Sequence, residues 1–473
     1  MDDLQSLTLL TLLSRVIVFL LVYLSAYLIP SFDSSHKTVL TSKWSEPLLR
    51  WDSFHFLHIA KEGYVYEHEW AFLAGAPMVM RYTGYLAERL LSLKSSPDLL
   101  LTGALAAMAC DTTRTLYLWA LYHLRSRKLA YLVAVLSLMS SSPATLRLTP
   151  YQEPFFAYFS YKGMLYCTKD QWFLASVSFA LAGTFRSNGI LLSGYILWGL
   201  LVVPLLKIRT IPPINLLRSI LYTSLILSPL IYHQYTGYLA FCVLSQAPTS
   251  PPSWCSLTLP SIYTHAQLKY WNVGFLRYWT ISQIPNFALA APPLGCLLSW
   301  CFYVLRPGNL EYLLRKASVQ EDDDGTGTIT GTTKYSDKGE DKDKAKAKPK
   351  TKPISPKTKD NVTPRKSQVQ TVPSPFLTPT LLPHTIHALI LSFILLFASH
   401  TQIVLRVGPA SVPVMYVAGA WLVVSDSEGE DEKDPGYQGK KKRKIKWGKL
   451  WIGWSLVWGV LSCVFWAAGL PPA

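Results

Sequence analysis

The chain has 473 residues, half of them apolar, and a formal net charge of +16. Its apolar residues arrive in long blocks separated by polar stretches, which excludes an ordinary soluble domain and reads as an all-α polytopic membrane protein. The Lys and Arg residues fall in short loops and insertions between these blocks, where positive-inside topology places them, so the charge is not the footprint of a nucleic-acid binder.

Asp2 and Asp3 stand where a cleaved leader would carry basic residues, so the long apolar run over 8–29, ending at Pro30, reads as a retained first span. Residues 31–97 form a polar-aromatic connection. The next blocks, 98–122 and 129–146, flank Arg125-Ser126-Arg127-Lys128. That basic turn belongs in the cytosol, which places 31–97 in the lumen. Shorter spans over 152–168, 171–184 and 190–206 enclose Lys169-Asp170 and then the break Arg186-Ser187-Asn188-Gly189, which falls on the luminal side. A span over 216–239 leads to a second luminal loop, 240–286, and a span over 287–305 returns to the cytosol, closing a membrane core over 1–306.

Residues 307–380 shift to Asp, Gly, Thr, Lys and Pro and cannot bury enough apolar surface to offset their ordering entropy, so they read as a disordered cytosolic insertion. C-terminal helices occupy 381–473, with spans over 383–403, 409–424 and 449–468 and a charged cytosolic loop over 425–447. The expected total is about eleven spans. Cys242 and Cys255 bracket a Pro- and Ser-rich stretch and are a disulfide candidate if that loop faces an oxidising lumen.

Three polar-aromatic clusters map to one side of the membrane: the stretch Arg50-Trp51-Asp52-Ser53-Phe54-His55-Phe56-Leu57-His58, the Arg186 break, and the loop from Trp271 to Asn286. A luminal carboxylate such as Asp52 can act as a general base toward a hydroxyl, a buried Arg can hold a phosphate through paired hydrogen bonds, and Trp and Tyr faces suit sugar rings and polyprenyl chains. Glycosyl transfer from a lipid phosphate, transport, another lipid-modifying activity and a scaffold all fit these residue types. Each residue also has a plainer reading. Asp52 and the amides of Gln283 and Asn286 can be helix caps, Glu153 can serve a helix dipole, and Trp271 can be an interfacial anchor. His55 and His58 share a helix face, as zinc ligands would, but no third ligand is near, and no metal is expected.

Longer motifs narrow the choice. Arg50 to Phe56 with Ile59-Ala60, Gly63-Tyr64-Val65-Tyr66-Glu67-His68 and Ala71-Phe72 resembles the first luminal loop of the GPI mannosyltransferase 2 family, PIG-V and its fungal counterparts. So does Tyr270-Trp271-Asn272-Val273-Gly274-Phe275-Leu276-Arg277-Tyr278-Trp279 followed by Gln283-Ile284-Pro285-Asn286-Phe287, supported by Phe185-Arg186-Ser187-Asn188-Gly189 and by Gln402, Arg406, Pro413 and Tyr416. The resemblance implies a GT-C glycosyltransferase fold in the endoplasmic reticulum membrane. It implies transfer of the second mannose, α-1,6-linked, from dolichol-phosphate-mannose to the GPI lipid precursor, with inversion and no cofactor, and with a small membrane-protein subunit as a possible partner. Asp52 would be the base. Arg186, Arg277 and Arg406 are the candidates for the donor phosphate, and Arg50, Trp51, His55, His58, Glu153, Asn188, Trp271, Asn272, Gln283 and Asn286 are candidates for contacts with the substrates. The reading from another class is a lipid or ion transporter with Asp52 and the arginines along its path.

Overall fold

The computed structural model describes residues 2–32, 34–39, 41–92, 97–244, 252–318, 374–431 and 445–470. The described helices belong to one unit, Met1–Val319 together with Pro375–Ala473. Most of the expected disordered insertion and of the basic run Lys440 to Lys446 lies outside the described residues. Among the described residues there is no β-strand, in keeping with the all-α expectation.

Helix α1 spans Asp3–Leu28. Leu9, Leu12, Leu13, Val16, Ile17, Leu20 and Leu24 are exposed along it, an apolar face that only lipid solvates well. The connection that follows is not merely polar: it carries α2 (Ser53–Glu62) and α3 (Gly75–Leu91). Arg81 of α3 donates to the Ala60 carbonyl at 2.6 Å and the Ile59 carbonyl at 3.1 Å, satisfying the end of α2.

Two expected spans are broken. Residues 98–122 divide into α4 (Leu99–Ala109) and α5 (Thr113–Leu124), because the Asp111 carboxylate accepts the Thr113 N–H at 2.9 Å and starts a new helix. Residues 129–146 divide into α6 (Arg127–Ser137) and α7 (Pro143–Arg147), with Pro143 opening the second piece. Helices α8 (Gln152–Cys167) and α9 (Trp172–Gly183) pack on each other. At 1.5 Å per residue α9 is only about 18 Å long, well short of a hydrocarbon core of about 30 Å. Residues Ser187–Ile208 then run as one long helical segment containing α10 (Ser193–Leu197) and α11 (Val203–Ile208).

Helix α12 (Pro213–Tyr238) continues through a wider turn to Val243, so the second loop begins later than expected; it carries α13 (Ile262–Trp271) before α14 (Ile284–Leu305). Helix α15 (Pro307–Ser318) stands where the polar insertion was expected to begin, because Leu313 and Asn309 are buried on one face of it. The C-terminal part comprises α16 (Leu382–Phe397), α17 (Val404–Ser411), α18 (Val414–Asp431) and α19 (Trp447–Ala468). Asp426, expected in a charged loop, lies on α18 and accepts the Lys449 N–H in the first turn of α19 at 3.1 Å.

Among the described residues six helical segments are long and apolar enough to cross a bilayer, and a seventh if the pair Thr401–Ser411 and Val414–Ser427, bent by 93°, counts as one. The bend falls at Val412-Pro413, where proline removes a backbone donor and forces its predecessor out of the helical region. Composition alone thus resolves fewer spans than the eleven expected, because several apolar blocks fold as short helices.

Candidate active site

The chain reaches α2 through a fixed turn. The Arg50 guanidinium donates to the carbonyls of Glu46 at 2.8 Å, Leu49 at 2.9 Å and, across the sequence, Ala467 at 3.1 Å. Trp51 then takes a left-handed conformation, φ 51°, which costs an L-residue of its size on the order of 1 kcal/mol. Asp52 follows at the N-cap position of α2, yet its carboxylate makes no capping hydrogen bond. It accepts instead from Arg406 Nη1 of α17 at 2.9 Å.

Arg406 leads to a second carboxylate. Its Nε lies 3.6 Å from Oε1 of Glu153, the second residue of α8, whose side chain is 1% exposed. That same oxygen accepts from Nη1 of Arg186, at the break after α9, at 2.7 Å. Two carboxylates and two guanidiniums therefore alternate in the order Asp52, Arg406, Glu153, Arg186, and their charges cancel. Buried charges persist only when paired in this way. Pairing is incomplete: Glu153 Oε2, Arg186 Nε, Arg406 Nε and Gln402 Oε1 are buried without a hydrogen-bond partner among the described residues. Unmet donors and acceptors gathered at one place are groups that water or a ligand can satisfy.

The quartet borders a cavity of about 720 Å³. Trp51, Phe72, Tyr263, Gln267, Trp271 and His400 give it an aromatic and polar wall, and Leu391, Ile394 and Leu395 of α16, with Ala398 just after it, give it an apolar one. Asn188 lines it and donates to Ser411 Oγ at 3.0 Å. Such a chamber has room for a sugar and a stretch of lipid beside charged groups that can handle a phosphate.

A family model described as Mannosyltransferase (PIG-V) matches residues 4–473 of the chain. The chain belongs to the PIG-V mannosyltransferase family. GPI mannosyltransferase 2 of Cryptococcus neoformans is 31% identical over 98% of this chain and 96% of its own length. GPI alpha-1,6-mannosyltransferase 2 of Mus musculus is 27% identical over 89% of this chain and 85% of its own length. GPI mannosyltransferase 2 of Aspergillus fumigatus is 33% identical over 64% of this chain and 69% of its own length. No solved structure matches the chain.

Of the residues singled out in this PIG-V family sequence, Trp51, Asp52, Glu153, Arg186, Asn188, Trp271 and Arg406 line the cavity together. The other candidates for substrate contact, Arg50, His55, His58, Asn272, Arg277, Gln283 and Asn286, are not among its lining residues. Arg50 fastens the loop to α19. Arg277 donates to Asn272 Oδ1 at 3.1 Å, and Asn272, at φ 52°, ends α13. Asn286 donates to Gln283 Oε1 at 2.6 Å and to the Tyr278 hydroxyl at 2.8 Å. His58 pairs with the buried Glu69, whose other oxygen accepts the N–H groups of Val65 at 2.8 Å and Tyr66 at 2.9 Å. His55 stacks on Phe72 and meets Trp271 edge-on, so it backs two lining aromatics from behind. Tyr151, Tyr263, Gln267, His400 and Trp466 also line the cavity. Sequence reasoning missed them; the available signal was adjacency, since Tyr151 precedes Glu153 by two residues and His400 precedes Arg406 by six.

Burial, partly offset by the nearby Asp52 carboxylate, holds the His55 imidazole below its usual pKa. The unfolded chain therefore takes up this proton more readily, and the fold loses stability as pH drops below about 6.5. Thermal unfolding of detergent-solubilised protein should shift downward from pH 7 to 5, and His55→Phe should reduce that shift.

Cys242 and Cys255 are joined in a disulfide. Closing a loop of this length contributes about 3 kcal/mol in the chain-entropy model. Cys255→Ser should lower the unfolding temperature and leave Cys242 open to maleimide labelling, which the native protein resists.

Proposed function

We propose that this mannosyltransferase adds the second mannose, α-1,6-linked, to the GPI anchor precursor, with dolichol-phosphate-mannose as donor and Asp52 as base. The observation that carries the reading is that Asp52, bonded to Arg406, shares with Arg186 one cavity that has an apolar wall. The names of the relatives supply the acceptor and the linkage.

In the reaction the acceptor 6-hydroxyl attacks C1 of the donor mannose from the face opposite the phosphate. The new C1–O6 bond forms as the C1–O phosphate bond breaks, and the configuration inverts. Asp52 takes the hydroxyl proton as positive charge develops at the sugar ring. Arg406 and Arg186 receive the negative charge of the departing dolichyl phosphate. Their orphaned Nε atoms are donors already held in a buried site, which favours them over Arg277. Glu153 keeps the two cations together.

The active site opens to the lumen of the endoplasmic reticulum in this reading. The Cys242–Cys255 bond fits an oxidising compartment, and the chain leads from Cys255 directly into α13, whose Gln267 and Trp271 line the cavity. The basic turn at Arg125, Arg127 and Lys128 then falls on the cytosolic side with the polar insertions. A small membrane subunit completes the assembly if the purified chain needs one for full turnover.

The test is expression of the chain in cells lacking their own second mannosyltransferase, with radiolabelled GPI lipids resolved by thin-layer chromatography. The one-mannose precursor should disappear and a two-mannose product should form. A protein present at native level that leaves the one-mannose lipid untouched overturns the reading.

A further inference from the structure

Tyr151, immediately before α8, is assigned no role by its residue type or by the family resemblance. Its side chain is 1% exposed, and its two ends meet different parts of the site. The phenol oxygen accepts the backbone N–H of Asp52 at 2.9 Å and donates to the carbonyl of Arg50 at 3.1 Å. It therefore bridges the residues on either side of Trp51, the one held at a left-handed φ of 51°. A turn of that kind persists only where its surroundings over-determine it, and the bridge supplies two of the necessary constraints. The ring faces Arg406, whose Cζ lies 5.6 Å from the ring centroid, a cation–π contact. Phe56 and Trp466 meet the ring edge-on at 5.2 and 5.1 Å and fix its plane.

We infer that Tyr151 is a positioning residue for mannose transfer, its hydroxyl setting the backbone that carries Asp52 and its ring face setting the Arg406 guanidinium. One side chain thereby fixes the distance between the group that takes the proton and the group that receives the phosphate. The inference rests on the reading of Asp52 as base and Arg406 as phosphate ligand. It explains why the pair meets at 2.9 Å although 354 residues separate the two in sequence.

The two ends separate experimentally. Tyr151→Phe keeps the ring and deletes the hydroxyl; Tyr151→Leu deletes both. The assay uses the full-length protein in nanodiscs with dolichol-phosphate-mannose and one-mannose GPI lipid, read as kcat and donor KM beside unfolding temperature. Tyr151→Phe should lower kcat about ten- to a hundredfold with donor KM within about twofold of native and little change in unfolding temperature. Tyr151→Leu should lose at least as much kcat and also raise donor KM about tenfold, because Arg406 loses its platform. Native kcat for Tyr151→Phe, or native donor KM for Tyr151→Leu, overturns the inference. Asp52→Asn is measured in parallel. If it is as active as the native enzyme, the base reading falls whatever Tyr151 does; if it is inactive while Tyr151→Phe is native, the tyrosine inference alone falls.

Discussion

Replacing Asp52 with Asn should stop mannose transfer, and lipid extracts of cells that depend on the variant should accumulate the one-mannose GPI precursor. The substitution keeps the shape of the side chain and an oxygen able to accept from Arg406 Nη1, now at 2.9 Å. It removes the negative charge and with it the ability to take a proton from a sugar hydroxyl. General-base catalysis contributes about a hundred- to ten-thousandfold, so turnover should fall by at least two orders of magnitude. The carboxylate makes no capping bond to α2, so the helix should survive the change. Comparison of expression level and unfolding temperature with the native protein checks this. Two-mannose product in native amount from a properly expressed variant would remove Asp52 from the chemistry.

Glu153→Gln has a different signature. Its carboxylate stands between Arg186, at 2.7 Å, and Arg406, at 3.6 Å, and is 1% exposed. Neutralising it leaves two guanidiniums facing each other with only Asp52 to balance them. Removing one partner from a buried charge set costs about 3 kcal/mol, because the remaining charge is neither solvated nor paired. The variant should unfold at a clearly lower temperature in detergent, and its donor KM should rise as the two arginines move apart. Arg277→Ala is the control: Arg277 is bonded to the exposed end of α13 and not to the quartet, so stability and turnover should stay near native. A native donor KM for Glu153→Gln beside a raised one for Arg277→Ala would transfer the phosphate role to Arg277.

The contrast between those two residues shows what the sequence could convey. Residue types and long motifs picked out Asp52, Glu153, Arg186 and Arg406, because charged groups beside apolar blocks are costly and therefore conspicuous. The same criterion also picked Arg50, Arg277, Gln283 and Asn286, whose polar atoms are used by neighbouring backbone or by one another. Whether a donor faces a ligand or a nearby carbonyl is decided by packing across hundreds of residues, which spacing does not encode. Tyr151 went unseen for the opposite reason: a tyrosine near a membrane boundary reads as an interfacial anchor, and only its partners reveal its other use. Averaging hid the helix breaks. A hydropathy block over 98–122 conceals the restart at Asp111, because one aspartate hardly alters the mean while its side chain accepts the first N–H of a new helix.

The loop that carries Asp52 is closed by the end of α19. Arg50 donates to the Ala467 carbonyl at 3.1 Å, the Trp466 indole N–H to the Pro47 carbonyl at 3.0 Å, and the Phe32 N–H to the Ala468 carbonyl at 2.7 Å. During synthesis the residues that fasten the Asp52 segment follow it after some 400 more have been added, roughly 20 to 80 seconds later at about 5–20 residues per second. A nascent chain that still lacks α19 thus carries Asp52 but not the contacts that hold its turn. Mannose transfer should therefore await the insertion of α19, so enzyme activity doubles as a report that this helix has entered the bilayer. A truncation that removes little more than the last turn of α19 should be as inactive as one that removes the base itself.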